Sequence, residues 1–252
     1  MNAQTKSKAA KLWQTLAKCC TASSGFQEEG IVVKEIFRDR TEAGQLLAGE
    51  LVKYAGSDEV LVLGLPRGGV PVAFEVARRL HVPLDIFVVR KLGVPGHEEY
   101  AFGAIAEGDV SVLDEDVVAE LRIPQSMVDG IIDREKQELK RRQLTYRGHE
   151  TSPRIRGRII LLIDDGVATG STMTAAVRAL RSQQPKHLVV AVPTAPPSSC
   201  VKLAEEADEV IALIKPEYFV AVGQWYEDFS QTSDDEVRRL LAEAGHQPAR
   251  LA

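Results

Sequence analysis

The stretch RIILLIDDGVATGSTMTAAVRAL, residues 158–180, joins an apolar run to two adjacent aspartates and then to a loop of glycine, threonine and serine. The apolar run is typical of a buried parallel strand, and the alanine-rich segment that begins at Ser171 is typical of a helix. Asp164 and Asp165 would repel each other at a buried strand end unless a cation or a hydrogen-bond donor lies beside them. The stretch therefore predicts a strand, a loop and a helix, with a loop that binds a metal ion or a polyol.

Composition and charge describe an ordinary globular chain. With 252 residues, 44% of them hydrophobic and 27% charged, it is long enough for one substantial core. The formal net charge of -5, from 31 basic and 36 acidic residues, argues against a general binder of nucleic acid or anionic membrane. Cys19, Cys20 and Cys200 are odd in number and lack metal-ligand spacing, which is typical of a reducing cytosol. No apolar run approaches the roughly 18 residues that span a bilayer, so we expect a soluble, cytoplasmic protein without nucleic-acid or membrane partners.

The chain divides into a polar N-terminal extension, residues 1–30, which we expect to be flexible, and one globular domain, residues 31–252. Asp39 can cap the first helix of that domain, with Glu42 three residues later. Short apolar runs then alternate with helical segments, which predicts a doubly wound α/β fold with a mostly parallel sheet. The segments with strand character are 59–65, 83–91, 100–106, 110–113, 158–163, 187–193 and 209–214.

A long charged helix is predicted over residues 114–147, with a break at Pro124. Its second half, residues 130–147, is strongly charged. Such a charge run favours a solvated helix face over a substrate or partner site, although the second interpretation stays open.

The loop after the two aspartates has the features of a phosphate cradle. It offers a run of backbone N–H groups, the hydroxyls of Thr169, Ser171 and Thr172, and the positive end of a helix dipole. Neither GxxxxGK[ST] nor GxGxxG is present, which argues against the common nucleotide-binding folds. The aspartates would face the group attached to the phosphate, and vicinal sugar hydroxyls are good donors to two carboxylates. A sugar phosphate is thus the predicted ligand, and the alternative is an acidic strand end with a plain helix cap.

A second loop, GLPRGGVP at residues 64–71, follows another predicted strand. Its glycines allow backbone amides to approach an anion, and Arg67 can bind phosphate in a bidentate way. Arg90 and Lys91 add two cations to the same edge of the sheet. The loop predicts a diphosphate site, and the alternative is a simple glycine turn.

IILLIDDGVATGST resembles the phosphoribosyl-pyrophosphate (PRPP) signature of the type I phosphoribosyltransferases. GLPRGGVP and VVRKLGVPGHEEYAFGA are similar to a group of stand-alone bacterial members, and the similarity runs from FRDR to about Trp225. The resemblance implies that Asp164 and Asp165 hold the ribose hydroxyls and Mg2+, and that residues 92–102 form a mobile loop that closes during catalysis. It also implies that Arg67, Gly68 and Arg90 take the pyrophosphate. The predicted substrate-binding residues are Gly68, Gly69, Arg90, Lys91, Gly166, Val167, Ala168, Thr169, Gly170, Ser171, Thr172 and Trp225.

The reaction implied by the resemblance needs no covalent nucleophile, which agrees with the absence of a Ser/His/Asp or Cys/His pattern. If the acceptor requires a proton transfer, Glu98 and Glu99 are the carboxylates that a closing loop could bring over the site. Alternatively, both carboxylates are simply exposed to solvent on an open loop. Asp228 is the next carboxylate to consider, and His97 is the one histidine inside the loop.

The acceptor would lie under a hood at about residues 214–237, where Phe219, Trp225, Tyr226 and Phe229 either stack on a heterocycle or pack a small subdomain. Ala168 stands where 6-oxopurine enzymes usually carry an aspartate, so this loop resembles adenine- or orotate-type enzymes. We expect PRPP and an unidentified base as small-molecule partners, with a homodimer as the assembly to test. Two other classes remain: a PRPP- or nucleotide-sensing regulator, and a diphosphotransferase, for which no ATP site is recognisable.

Overall fold

The computed structural model describes residues 36–108, 110–149 and 151–245. The chain divides into Met1–Lys34 and a compact unit, Glu35–Ala252, to which all the described residues belong. The expected flexible extension over residues 1–30 lies outside the described ranges.

A parallel sheet forms the centre of the domain, with strand order β2-β1-β6-β7-β8 and every neighbouring pair parallel. The predicted α/β fold is confirmed by this sheet and by the helices that connect its strands. The strands are β1 Val60–Gly64, β2 Leu84–Ile86, β3 Val89–Val94, β4 His97–Ala106, β5 Val110–Leu113, β6 Ile159–Ile163, β7 His187–Thr194 and β8 Glu209–Ile214. The helices are α1 Arg40–Glu50, α2 Gly69–Leu80, α3 Glu115–Glu120, α4 Gln125–Arg147, α5 Ser171–Ser182, α6 Pro197–Ala204 and α7 Asp234–Gly245, with short 3-10 helices at Val52–Tyr54 and Val222–Trp225.

Local sequence signals explain the starts of two helices. The side chain of Asp39 accepts a hydrogen bond from the backbone N–H of Glu42 at 2.8 Å, and the Glu42 carboxylate accepts one from the backbone N–H of Arg38 at 2.6 Å. The cap predicted for α1 is therefore confirmed. α4 begins directly after Pro124, so the predicted break in the charged helix is confirmed as well.

The three inner strands of the parallel sheet, β1, β6 and β7, are buried on both faces, whereas the edge strands β2 and β8 are partly exposed. In β6, Ile160 and Leu162 pack into a cluster with α5 and α6, while Leu161 and Ile163 pack into a cluster with α1 and α2. Each such side chain contributes about 1.5–3 kcal/mol when it leaves water. This two-sided burial explains why the sequence shows an unbroken apolar run here instead of alternation.

A second, antiparallel sheet of order β3-β4-β5 was not predicted. The single strand expected over residues 83–91 is wrong, because β2 ends at Ile86 and β3 starts at Val89 in the other sheet. Phe87 and Val88, at the crossing, are both buried, so the apolar run continues through the break and the pattern could not show it. The segment expected to be a mobile loop, residues 92–102, forms most of the β3–β4 hairpin, and its closure during catalysis stays a prediction.

A buried ion cluster joins the hairpin sheet to the parallel sheet. Arg147, at the end of α4, lies 2.6 Å from an oxygen of Asp85 and 2.5 Å from an oxygen of Glu107. The other oxygen of Glu107 accepts a hydrogen bond from the backbone N–H of Val88 at 2.6 Å. The side chains of Arg147 and Glu107 are 5% and 1% exposed, so both charges depend on these contacts.

Within the described part of the chain, no helix has the length and apolar character that crossing a membrane requires.

Candidate functional site

Asp164 and Asp165, called the acidic pair below, meet the glycine loop, residues 64–71, at the carboxyl ends of β6 and β1. β1 and β6 are paired in register as far as Gly64 and Ile163, so the loops that follow them leave the sheet side by side. A Cβ atom on Gly68 would lie 2.0 Å from a carboxylate oxygen of Asp165, which no side chain could tolerate without movement. A glycine is thus needed here while the Asp165 carboxylate keeps its position. A Cβ atom on Gly69 would lie 2.8 Å from the Cα atom of Asp164, so the backbones of the two loops also approach closely.

Arg40, at the first position of α1, holds Asp165. Its Nε and Nη2 each lie 2.8 Å from the same carboxylate oxygen, and the two side chains are only 11% and 13% exposed. Arg40 also donates from Nη1 to the carbonyl of Ser230 at 2.7 Å, and its guanidinium carbon lies 4.0 Å from the centre of the Phe229 ring. A residue from the first helix therefore connects the acidic pair to the segment between β8 and α7.

The electrostatics of the acidic pair favour a cationic or donor ligand. Burial and the neighbouring charge of Asp165 raise the pKa of Asp164 well above that of an ordinary aspartate. Burial also raises the pKa of Asp165, although the Arg40 guanidinium opposes the rise. A bound cation or several hydroxyl donors would stabilise the charged forms of both residues.

The loop predicted to hold a phosphate, residues 166–172 and called the phosphate loop below, runs into the N-terminus of α5. Gly170 caps the helix, and Thr169 and Ser171, whose hydroxyls lie 3.0 Å apart, are exposed at its entrance. The hydroxyl of Ser199 donates to the carbonyl of Ala168 at 2.6 Å, and the backbone N–H of Val167 donates to the carbonyl of Thr194 at 2.9 Å. These two hydrogen bonds hold the loop in place, and the N-terminal end of α5, where the helix dipole is positive, stays open to an anion.

The segment between β8 and α7 covers the start of this loop. A Cβ atom on Gly166 would lie 2.5 Å from a methyl group of Val222. The hydroxyl of Tyr226 donates to the carbonyl of Asp165 at 2.5 Å. The predicted hood therefore touches the acidic pair directly.

The cations predicted for pyrophosphate have carboxylate partners. Arg67 lies 3.6 Å from Asp234 at the start of α7. Arg90 lies 2.7 Å from Glu135 of α4. Arg90 and Lys91 line a cavity of about 390 Å³ together with Thr172 of the phosphate loop, whereas Arg67 is absent from its lining.

The β3–β4 hairpin and the phosphate loop line a second cavity together. A cavity of about 880 Å³ is lined by Tyr100 and Gly103 of β4 together with Thr169 and Ser171. The backbone of Glu98 and Glu99 lies in β4, and the positions of these two side chains are outside the description.

Other predicted residues lie apart from the acidic pair or pack within the hood. The Trp225 ring stacks on Phe219 at 6.2 Å between centroids, with its indole N–H buried and without a hydrogen-bond partner among the described residues. His97 lines a different cavity, with Leu121 and Met127. Asp228 is exposed and accepts a hydrogen bond from the backbone N–H of Ser230 at 2.9 Å.

The two aspartates fit magnesium only as part of a larger ligand set. Magnesium prefers oxygen ligands and is commonly held by one or two carboxylates together with substrate phosphates and water. Among the described residues, no group of three or more His, Cys, Asp or Glu side chains could hold a metal ion. The site therefore fits magnesium that arrives with a phosphorylated substrate, and it does not fit a cage made by protein alone.

Sequence reasoning missed Arg40, Glu135 and Asp234. Arg40 had a usable signal, because an arginine at the first position of a helix opposes the helix dipole and needs a partner elsewhere. Glu135 and Asp234 pair with Arg90 and Arg67, which lie in distant parts of the chain, and no local pattern indicates these pairs.

Comparisons with known proteins agree with this geometry. The family description "Phosphoribosyl transferase domain" matches residues 33–229. Two proteins of Mycobacterium tuberculosis, from strains CDC 1551 / Oshkosh and H37Rv, each named "Putative phosphoribosyl transferase", are 47% identical over 211 residues, which make up 83% of this chain and 47% of theirs. This chain thus spans about half the length of these curated relatives.

A solved structure extends the comparison to three dimensions. The crystal structure of TT1426 from Thermus thermophilus is 43% identical, with a TM-score of 0.75, and the match covers 82% of this chain and 98% of that one. Because the family match includes both loops and the acidic pair, this chain belongs to the phosphoribosyl transferase family.

Proposed function

We propose that this protein transfers the 5-phosphoribosyl group of PRPP to a nitrogenous acceptor, with release of pyrophosphate. The observation that carries the proposal is the contact between the two loops, where Gly68 leaves no room for a side chain beside Asp165. That contact brings a phosphate cradle, an acidic pair and an arginine-bearing glycine loop to one edge of the sheet, which matches the phosphate, hydroxyl and diphosphate groups of a single ligand.

In this proposal residues 166–172 hold the 5-phosphate, and Asp164 accepts hydrogen bonds from the ribose hydroxyls. Asp165 is held by Arg40 on one side and faces the glycine loop on the other. The glycine loop, where Gly68 and Gly69 leave space for an anion, takes the pyrophosphate together with Arg67 and Arg90. Arg67 and Arg90 must then share or exchange their carboxylate partners, Asp234 and Glu135, when the ligand binds.

Breaking the bond between C1 and pyrophosphate leaves positive charge on the ribose and negative charge on the leaving group. Magnesium bound with Asp164 and Asp165 would neutralise part of the leaving-group charge. The arginines stabilise the same charge, and the hairpin residues that line the cavity beside Thr169 exclude water when they close. The acceptor nitrogen attacks C1 from the opposite face, where Glu98 or Glu99 would receive its proton.

The acceptor would lie between the hood and the acidic pair. Ala168 offers no carboxylate to a base, which disfavours hypoxanthine and guanine as acceptors. We propose a nucleobase of another class.

The test is to incubate the protein with PRPP and Mg2+, add purine, pyrimidine and nicotinic bases one at a time, and measure pyrophosphate release. Base-dependent release from wild-type protein, abolished in Asp164→Asn/Asp165→Asn, is the expected result. Tight PRPP binding without release for any base would replace the proposal with a PRPP-sensing role for the same fold.

A further inference from the structure

The cavity of about 390 Å³ between the glycine loop, β3 and α4 carries an excess of positive charge. Among the side chains that the structure describes, four cations line it, against the one carboxylate of Glu135. Two of the cations, Arg90 and Lys91, come from β3, and the other two, Arg134 and Arg142, come from the charged half of α4. The charge run of α4 favoured a solvated helix face. Part of that face also forms a wall of this cavity.

Glu135 organises this cavity and leaves it cationic. Its side chain is 11% exposed, and one of its oxygens lies 2.8 Å from Nε and 2.7 Å from Nη2 of Arg90. Its other oxygen accepts a hydrogen bond from Nε of Arg134 at 3.2 Å. One carboxylate thus contacts two of the four cations, of which Arg134 is 70% exposed, and the described part of the lining has three more cationic than anionic side chains.

Arg142 is oriented by a carboxylate outside the cavity. Its Nε donates to Glu138 at 2.8 Å, while its own side chain is 31% exposed and contributes to the cavity lining. On the opposite side, Leu65, Pro66 and Phe87 supply apolar surface. Limited access of water on that side strengthens the attraction between the arginines and an anion.

The cavity also contacts both loops of the proposed site. Thr172 belongs to the phosphate loop, and Leu65 and Pro66 directly precede Arg67 in the glycine loop. An anionic group placed here would lie beside a phosphate held by the phosphate loop.

We propose that α4 supplies half of the binding site for the diphosphate group, with Arg134 and Arg142 as binding residues and Glu135 as the residue that positions Arg90. This inference rests on the proposed function and deepens it, because it extends the diphosphate site from the glycine loop and Arg90 into the cavity beside β3 and α4. A diphosphate carries several negative charges, which matches the charge excess of the cavity. Arginine also binds phosphate oxygens in a bidentate way.

The chain offers a closely matched control. Arg141 is the neighbour of Arg142 on α4 and also binds Glu138, at 2.7 Å, but it is 61% exposed and is absent from the cavity lining. Arg141→Gln and Arg142→Gln therefore make the same change in net charge and break the same type of ion pair. They differ in whether the arginine faces the cavity.

The experiment is isothermal titration of inorganic pyrophosphate and, separately, of ribose 5-phosphate into wild-type protein and these variants, each checked for native thermal unfolding. Arg142→Gln and Arg134→Gln should weaken pyrophosphate binding roughly tenfold to a hundredfold, while Arg141→Gln changes it by less than about threefold. Ribose 5-phosphate affinity should be the same in all of them. Arg142→Lys, which keeps the charge but loses the planar fork, should fall between wild type and Arg142→Gln.

Equal pyrophosphate affinity in Arg142→Gln and Arg141→Gln, with ribose 5-phosphate still bound, would overturn the assignment of α4 and leave the proposed function intact. Failure of the wild-type protein to bind ribose 5-phosphate would instead overturn the proposed function. Competition identifies the source of the anion, because PRPP should displace pyrophosphate from a shared site. Pyrophosphate that stays bound at saturating PRPP would show a separate polyanion site and contradict the inference.

Discussion

Arg40 approaches Asp165 with two guanidinium nitrogens, each 2.8 Å from the same carboxylate oxygen, and both side chains are almost buried. A buried carboxylate that loses its cation costs about 3–5 kcal/mol. Arg40→Met should therefore destabilise the domain strongly in urea unfolding. Adding Asp165→Asn should recover most of that loss, because the uncompensated charge is removed.

If the single variant and Arg40→Met/Asp165→Asn lost the same stability, the cost would come from the packing of Arg40 on Phe229 and not from the ion pair.

Arg40 also shows the limit of sequence reasoning about the site. The strand, the two aspartates and the phosphate loop were recognisable because they are contiguous. The partner of Asp165 lies 125 positions away, and only its unfavourable place on the helix dipole hinted at it.

Gly68 gives a second residue-level prediction. A methyl group there would lie 2.0 Å from the Asp165 oxygen, whereas a methyl group on Gly49 meets nothing within 4 Å. Gly68→Ala should weaken PRPP binding by at least about tenfold, because the Asp165 carboxylate must move away from the position where Arg40 holds it. Gly49→Ala, on the exposed side of α1, should keep PRPP affinity and stabilise the fold by about 0.4–1 kcal/mol. PRPP titration and thermal unfolding of both variants check this, and wild-type affinity in Gly68→Ala would show that the loop contact is not part of the ligand site.

Among the elements, the β3–β4 hairpin differs most from what its sequence indicated. Its glycines and carboxylates are typical of a loop, but residues 97–106 pair with both β3 and β5. β3, β4 and β5 follow one another along the chain, but the Arg147–Glu107 contact that joins this sheet to the rest of the domain comes from a residue 40 positions away, which local patterns do not contain. The parallel strands could be predicted because their two-sided burial produces a continuous apolar run whatever the neighbouring strand is.

The hairpin carries the prediction about proton transfer. If Glu98 or Glu99 receives the proton of the acceptor, Glu98→Gln or Glu99→Gln should reduce single-turnover rates by roughly 10²-fold or more, with PRPP affinity nearly unchanged. Wild-type rates in both variants would mean that the hairpin only shields the site. Asp228→Asn would then be the next variant to measure.

At the scale of the whole molecule, the edge of the parallel sheet is fixed by Glu209 of β8. Its carboxylate accepts hydrogen bonds from Lys53 at 2.7 Å and from the Tyr54 hydroxyl at 2.7 Å, both from the segment after α1. Partial burial acts to raise the pKa of Glu209, but these two donors outweigh it and lower that pKa. A lowered pKa gives stability that is present above the unfolded value of about 4.3 and is lost as the pH falls through the folded value.

Glu209→Gln should therefore destabilise the domain by roughly 1 kcal/mol at pH 7, a modest amount because water screens the Lys53 contact. The difference from wild type should shrink as the pH falls below about 4 and be lost in stronger acid, where Glu209 is protonated in both states. Urea unfolding at pH 7 and pH 3 measures this, with the exposed Glu217→Gln as the control. A difference that stays constant between the two pH values would mean that the carboxylate charge does not contribute.

The central claim is that the acidic pair at the end of β6 binds the ribose and magnesium of PRPP. Asp164 tests it better than Asp165 does, because removing the Asp165 charge also removes the partner of Arg40. The most direct measurement is isothermal titration of PRPP with and without Mg2+ into wild type, Asp164→Asn and Asp164→Asn/Asp165→Asn. We expect the single substitution to weaken Mg2+-dependent PRPP binding roughly 10- to 100-fold, the double substitution to weaken it further, and both proteins to remain folded. Unchanged PRPP affinity in the folded double variant would contradict the account.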